Sequence, residues 1–186
     1  MIAAADDAGI TRFHYAGISL GGAVGLALAL NHADRLHSLT VICSAGRIGS
    51  SEAWRERAAT VRAQGTPVLV GPSAERWFAP GFIAANPDAV SALLHDLSDA
   101  DDESYALLCE ALAEFDVLDD LPRVRIPTLI LAGEHDGVVT PDHARATAAL
   151  IRGAAFDVVS GAGHLAPIEK PEAVAASLQS FIGGIS

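Results

Sequence analysis

The stretch FHYAGISLGG, residues 13–22, carries a G-x-S-x-G pattern centred on Ser19. The run RFHYAGI at 12–18 is apolar, rich in aromatic and β-branched residues, and typical of a buried strand. The residues at 21–36, GGAVGLALALNHADRL, predict a helix directly after it. Ser19 is therefore expected at a turn between a strand and a helix.

This turn has the residue types that an exposed, reactive serine requires. Gly17 and Gly21 have no Cβ atoms, so the two arms of a sharp strand-to-helix turn can approach each other and lift the Ser19 hydroxyl above the sheet. The backbone N–H of Leu20 then lies near a helix N-terminus, where partial positive charge favours a developing oxyanion. We predict Ser19 as a nucleophile and Leu20 as an oxyanion donor.

Three further segments have strand character, at 38–44 (SLTVICS), 127–133 (PTLILAG) and 154–161 (AAFDVVSG). Helical patterns follow two of the strands, at 141–151 and 171–182, each with Pro near its start. Strands that alternate with helices predict a parallel sheet with helices packed on it. The expected fold class is α/β.

The middle of the chain differs from both ends. Between about 49 and 121 no segment has a convincing buried-strand pattern, and three stretches carry helical periodicity, at 51–65, 86–99 and 102–116. We predict a helical cap over 49–121, inserted between two parts of one α/β core at 1–48 and 122–186.

The first residues also carry a prediction. IAAADDAGI at 2–10 resembles the last turns of a helix, with Gly9 just past its end. Only eighteen residues precede Ser19, so we expect a sheet without its first strands. The strand at 12–18 would then have a free edge that promotes aggregation, and the chain alone is expected to be poorly soluble and weakly active.

Composition excludes several classes of partner. The formal net charge is −11, from 12 Lys and Arg against 23 Asp and Glu, which disfavours nucleic acid. The longest apolar stretch, at 23–30, is too short to cross a membrane, and no signal peptide is visible. Cys43 and Cys109 lack metal-ligand or disulfide spacing, and we interpret them as buried, reduced thiols of a cytoplasmic protein.

A reactive serine needs a base, and one of the seven histidines stands out. His164 lies in SGAGHLAP, a glycine-rich loop directly after the last predicted strand, where ligand sites of parallel sheets lie. His135 is the competing candidate because it adjoins the loop that carries the acid. The other five lie inside predicted strands or in and beside helices.

The acid is expected in AGEHDG, directly after the strand at 127–133. Asp136 is favoured because Gly137 follows it and frees the backbone to turn the carboxylate inward. Glu134 is the rival, although it stands nearer the strand end, where it could be solvated. Ser19, Asp136 and His164 then follow three different strands.

The chain resembles the α/β-hydrolase superfamily and, within it, the 3-oxoadipate enol-lactonases. The stretches that carry the resemblance are GISLGGAVG, CSAGRIGSSEAW, ERWFAP, IPTLILAGEHDGVVTP and GAGHLAPIEKPEAV. It implies an α/β-hydrolase fold with a helical cap and a catalytic triad of Ser19, Asp136 and His164. The implied reaction is hydrolysis of 3-oxoadipate enol-lactone to 3-oxoadipate in aromatic catabolism, on a small anionic lactone or ester, without a metal or an organic cofactor.

An anionic substrate needs a local cation in this acidic protein. Arg47, just after the second predicted strand, could hold the substrate carboxylate in a bidentate pair. Trp77, beside Arg76 in the predicted cap, could cover the flat ring. Each could equally be an ordinary surface arginine or a tryptophan of the cap core.

Two other functions fit the same residues. A broad carboxylesterase or a haloperoxidase-like perhydrolase of this fold would use the same triad. A non-catalytic, truncated chain would keep the motif without building the site. The sequence does not indicate an oligomeric state.

Overall fold

The computed structural model describes residues 1–185. Four parallel strands form one sheet in the order β1-β2-β3-β4. The strands are β1 (Phe13–Ile18), β2 (Leu36–Ile42), β3 (Thr128–Gly133) and β4 (Ala155–Val159). Because the strands are parallel, their carboxyl ends lie at the same end of the sheet. The candidate residues follow β1, β3 and β4 and are therefore brought together there.

All four predicted strands are present, with shifted ends. β2 begins two residues before the predicted 38–44 and ends at Ile42, because Cys43 leaves the strand with φ of 47°. That angle is in the left-handed region, which a non-glycine residue rarely adopts. β4 is shorter than the predicted 154–161 and ends at Val159.

Helices cover both faces of the sheet and the region beyond it. The ten within residues 1–185 are α1 (Ile2–Asp7), α2 (Leu20–Asn31), α3 (Ser51–Gln64), α4 (Val70–Trp77), α5 (Phe82–Ala85), α6 (Pro87–Ser98), α7 (Asp102–Glu114), α8 (Pro141–Leu150), α9 (Ala166–Glu169) and α10 (Pro171–Gly183). α2 ends at Asn31, five residues before the predicted end, because a 3₁₀ turn at Ala33–Arg35 leads into β2. No helix of residues 1–185 is long and apolar enough to cross a membrane.

The core lies on both faces of the sheet. On one face, Leu26 of α2 packs with Leu39 and Ile130 and is fully buried. On the other, Leu131 of β3 packs with Val174 of α10. Each buried side chain of this size stabilises the folded protein by about 1.5–3 kcal/mol. The sheet is therefore a rigid support for the loops that follow its strands.

The turn between β1 and α2 depends on a close backbone approach. A Cβ atom on Gly17 would lie 2.3 Å from the carbonyl oxygen of Gly21, which is too close for any side chain. The next residue but one, Ser19, has φ of 50° and ψ of −116°. Glycine at 17 therefore permits the strained turn that presents Ser19.

β1 is less buried than the sequence predicts. His14 and Ala16 are exposed, while Tyr15 between them is half-buried. The expectation of a buried strand is therefore wrong for the face of β1 that carries His14 and Ala16. Within residues 1–185, β1 pairs only with β2, and no strand lies along its other edge.

Residues 51–114, called the cap segment below, are helical. Three predicted helices occur as α3, α6 and α7, and two short helices, α4 and α5, were not expected. α3 and α7 pack along each other, with Arg62 of α3 paired with both Glu103 and Glu110 of α7. The domain limits at 48/49 and 121/122 stay a prediction, and Ser186 lies outside the described residues.

Candidate active site

Ser19 lies at the carboxyl end of β1, immediately before α2. Its backbone N–H donates to the carbonyl of Ile42, at 2.9 Å, which fixes the turn to the end of the neighbouring strand. Leu20 is the first residue of α2, so its N–H has no carbonyl four residues earlier in the helix to bond. Within residues 1–185 this N–H has no hydrogen-bond acceptor, and it directly follows Ser19 at the start of the helix.

His164 follows β4 in the loop before α9. Its side chain is buried, and its Nε2 lies 2.9 Å from Ser19 Oγ. The backbone N–H of His164 donates to the carbonyl of Trp77 at 2.8 Å. The loop is therefore held by the cap segment, with the imidazole ring directed at the serine.

Asp136 lies beyond the end of β3 and is buried. Its Oδ2 is 2.9 Å and its Oδ1 3.1 Å from His164 Nδ1. Oδ1 also accepts hydrogen bonds from the N–H groups of Val138 and Val139, at 2.7 and 2.9 Å. The carboxylate is held rigidly, and the three side chains form a continuous hydrogen-bonded chain suited to moving a proton from serine to histidine.

The two rival residues lie outside this chain of contacts. Glu134 is exposed and accepts hydrogen bonds from the Gly161 N–H at 2.7 Å and the Ser160 hydroxyl at 2.8 Å. The Gly161 N–H, and then Ser160, lower the pKa of its carboxyl. His135 is also exposed, 3.9 Å from Glu134. Glu134 thus holds the turn after β4, and neither residue contacts Ser19.

Cys43 lies beneath the acid. Its buried Sγ is 3.7 Å from the carbonyl oxygen of Gly163. Burial, and then the nearby charge of Asp136, raise the pKa of the thiol to about 12. The neutral thiol therefore packs against the site without competing with Ser19 as a nucleophile.

A buried carboxylate that was not predicted, Glu169, braces the histidine loop. Glu169 of α9 accepts hydrogen bonds from the Gly163 N–H at 2.8 Å and from the Ala79 N–H at 2.7 Å. Gly163 precedes His164, and Ala79 lies between α4 and α5. Glu169 therefore ties the histidine loop to the cap segment.

A cavity of about 310 Å³ lies between the carboxyl ends of the strands and the cap segment. Ser19, Leu20 and His164 line its floor, and the cap segment supplies most of the other lining residues, among them Trp54, Arg57, Arg76, Trp77, Tyr105 and Leu112. This volume suits a small organic molecule.

The structure places the two predicted substrate ligands differently. Trp77 lines the cavity. Arg47 lies outside it, with an exposed side chain 3.3 Å from the carboxylate of Asp116. Arg47 is therefore not placed to hold a substrate carboxylate in this cavity, as had been expected, because the chain directs its side chain toward the residues that follow α7.

Trp54 and Arg57 also line the cavity and were not predicted, although their spacing in the sequence is a signal. The two residues are three apart on α3, and residues at that spacing lie on one helix face. Tyr105 of α7 faces them across the cavity, which only the packing of α3 on α7 reveals.

Comparison with known proteins assigns the chain to a family. Residues 2–177 match the alpha/beta hydrolase family. The chain is 39% identical over 173 residues to 3-oxoadipate enol-lactonase 2 of Acinetobacter baylyi. That match covers 93% of this chain and 64% of the relative, so the chain spans less than two thirds of that protein's length.

Solved structures agree with this assignment. The enol-lactonase from Burkholderia xenovorans LB400 superposes with a TM-score of 0.94 and 32% identity, over 98% of this chain and 70% of that one. A thermophilic esterase from Thermogutta terrifontis superposes with a TM-score of 0.92 and 28% identity, over 98% and 69%. By sequence and by structure, the chain belongs to the alpha/beta hydrolase family.

Proposed function

We propose that this chain carries the active site of a serine hydrolase that cleaves a carboxylic ester or lactone. The observation that supports the proposal is the continuous contact of Ser19, His164 and Asp136 on the floor of a cavity. These residues follow three separate strands, and their arrangement is the one that acyl transfer by a serine nucleophile requires.

The roles follow from the contacts. With its Nδ1–H donated to Asp136, His164 has Nε2 free to take the Ser19 proton as the serine oxygen attacks the substrate carbonyl. Leu20 N–H stabilises the oxyanion that forms. Collapse of that intermediate breaks the ester bond, and His164 returns the proton to the leaving oxygen. Water activated by the same imidazole then releases the acid from Ser19.

The proposed substrate is 3-oxoadipate enol-lactone, which opens to 3-oxoadipate. Two similarities support this substrate: the 39% sequence identity to an enol-lactonase of Acinetobacter baylyi and the superposition on the enol-lactonase of Burkholderia xenovorans. In the lactone the leaving oxygen is an enol, which becomes the ketone of the product. We also propose a cytoplasmic location, from the two unpaired thiols Cys43 and Cys109.

A general carboxylesterase is the second candidate, because the chain is also 28% identical to an esterase of this fold. The two candidates differ in preference rather than in chemistry. Hydrolysis of the enol-lactone should exceed that of a neutral aryl ester, measured as kcat/KM, if the first proposal is right. A preference for the aryl ester would favour the second.

The nucleophile is tested separately. Purified protein should be labelled by a fluorophosphonate, and Ser19→Ala should abolish both labelling and turnover, apart from the small rate that binding and oxyanion donors supply. Ser160→Ala is a matched control, because this serine lies on the turn after β4 and bonds Glu134. Labelling of the Ser19→Ala protein, or activity above a few per cent, would contradict the assignment.

A further inference from the structure

Two arginines from different helices face the cavity that holds Ser19. Arg57 comes from α3 and Arg76 from α4. The cavity lining described within residues 1–185 contains no Asp or Glu, although the chain carries a net charge of −11. The cavity is thus a positively charged region within an acidic protein.

Arg57 is placed there by its helix and left without a carboxylate. Its neighbours on α3, Arg55 and Arg62, pair with acidic residues of α7. Arg57 instead donates to the Tyr105 hydroxyl at 3.3 Å, and its guanidinium carbon lies 5.4 Å from the centre of the Trp54 ring. Within residues 1–185 no acidic side chain is at ion-pair distance from it, so its charge is positioned but not neutralised.

Arg76 has a similar environment at the cavity rim. Its Nε donates to the carbonyl of Pro72 at 3.3 Å, and the part of the chain that the structure describes supplies no carboxylate at ion-pair distance. Partial burial, and then the positive charge of Arg57, lower the pKa of Arg76, which nevertheless stays protonated at neutral pH. Both guanidinium groups line the cavity, so an anion bound in it would face two positive charges.

We propose that Arg57 and Arg76 form an anion site that selects esters or lactones carrying a free carboxylate. Guanidinium groups suit a carboxylate because they offer paired, planar donors. Trp54 and Trp77 line the same cavity and supply apolar surface for the uncharged part of the molecule. The proposed substrate specificity rests on the proposed function, whereas the binding of an anion by Arg57 and Arg76 does not.

Binding tests the site without any reaction. The chain has two tryptophans, Trp54 and Trp77, and both line the cavity, so intrinsic fluorescence reports its occupancy. In the Ser19→Ala protein, glutarate should change this fluorescence, and neutral glutaramide should bind at least tenfold more weakly. Arg57→Gln and Arg76→Gln should each raise the Kd for glutarate by about tenfold.

Matched controls separate a local contact from a general loss of charge. Arg55→Gln removes the same charge two residues earlier on α3, where the side chain pairs with Glu114 outside the cavity, and should leave the Kd within twofold. Arg57→Lys keeps the charge and should retain more affinity than Arg57→Gln. Equal binding of glutarate and glutaramide, or an Arg55→Gln effect as large as that of Arg57→Gln, would overturn the proposal.

Turnover tests the consequence for specificity. We expect kcat/KM for 4-nitrophenyl hydrogen glutarate to fall about tenfold or more in Arg57→Gln and Arg76→Gln, and that for the uncharged 4-nitrophenyl pentanoate to change less than twofold. Equal losses on both esters would refute selection by charge. If neither ester is hydrolysed while glutarate still binds as predicted, the hydrolase proposal fails and the anion site stands.

Discussion

At the scale of single residues, the site separates two acids that are close in sequence. Asp136 is buried and contacts His164, whereas Glu134, two residues earlier, is exposed and holds the turn after β4. The difference arises because the loop after β3 turns inward at 136, where the N–H groups of Val138 and Val139 hold the carboxylate. The acid can therefore be identified by mutation.

Asp136→Asn should lower kcat by about 10⁴-fold, since the amide no longer holds the His164 tautomer that accepts the serine proton. Glu134→Gln is the matched control and should change kcat by less than about threefold. Steady-state kinetics on the enol-lactone or an aryl ester measure both. A reversed order of the two effects would transfer the role to Glu134.

Glu134 should instead show a pH-dependent effect on stability. Its carboxyl has a lowered pKa in the folded protein, so its contribution is present above the pKa of the unfolded chain and is lost as pH falls through the folded value. Glu134→Gln should therefore lower the melting temperature at pH 7 and have a smaller effect near pH 4. A melting difference independent of pH would mean that the charge of Glu134 does not stabilise the turn.

The candidate residues show what a sequence can predict at this scale. The mutual contact of Ser19, Asp136 and His164 was predictable because each lies within five residues of a strand end and within two residues of a glycine, which is a local pattern. The arginines that face the cavity were less predictable. Arg47 was the expected ligand of the substrate carboxylate, whereas the structure places Arg57 and Arg76 in the cavity lining. Which cation faces a cavity depends on how α3 packs on α7, which is long-range packing without a local signature.

At the scale of elements, the parallel order of the strands brings the three loops together, and the cap segment completes the cavity. Strand and helix types were predictable from periodicity and from Pro and Gly positions. The exact ends of the strands and helices were less predictable. They depend on the left-handed backbone of Cys43 and on the 3₁₀ turn before β2, which tertiary packing imposes. Contact between the cap segment and the histidine loop depends on the carbonyl of Trp77 and on Glu169.

The role of Glu169 in holding the histidine loop can be tested by replacing its carboxylate with an amide. In Glu169→Gln an amide NH₂ replaces one acceptor oxygen, so either the Gly163 or the Ala79 N–H loses its buried partner, at a cost of about 1–3 kcal/mol in the free energy of unfolding. His164 should also be less well placed, lowering kcat by about tenfold or more.

Thermal melting and fluorophosphonate labelling of Ser19, the latter far below the melting temperature, measure these two effects. Glu172→Gln, the same substitution on the exposed first turn of α10, should leave both unchanged. Normal labelling of a destabilised Glu169→Gln protein would limit Glu169 to a structural role.

At the scale of the whole molecule, the sheet is unequally covered. β3, and β2 apart from His37, are buried, whereas β1 has one edge that no strand of residues 1–185 pairs, and its His14 and Ala16 side chains are exposed. An open strand edge bearing no Lys or Arg is a template for pairing with another chain. The same strand carries Ser19, so association at this edge would disturb the site as well as the fold.

The polypeptide of residues 1–186 should therefore self-associate through β1 when no other segment covers that edge. Ala16→Lys puts a charge on an exposed position of the strand and should reduce association, since natural edge strands use lysine to prevent pairing. Ala149→Lys, at an exposed position of α8, changes the net charge by the same amount and should have no such effect. Light scattering over a range of protein concentrations measures the difference. If the unmodified chain is a monomer with one cooperative melting transition, or if both lysine variants reduce association equally, the edge of β1 is not the surface through which the molecules associate.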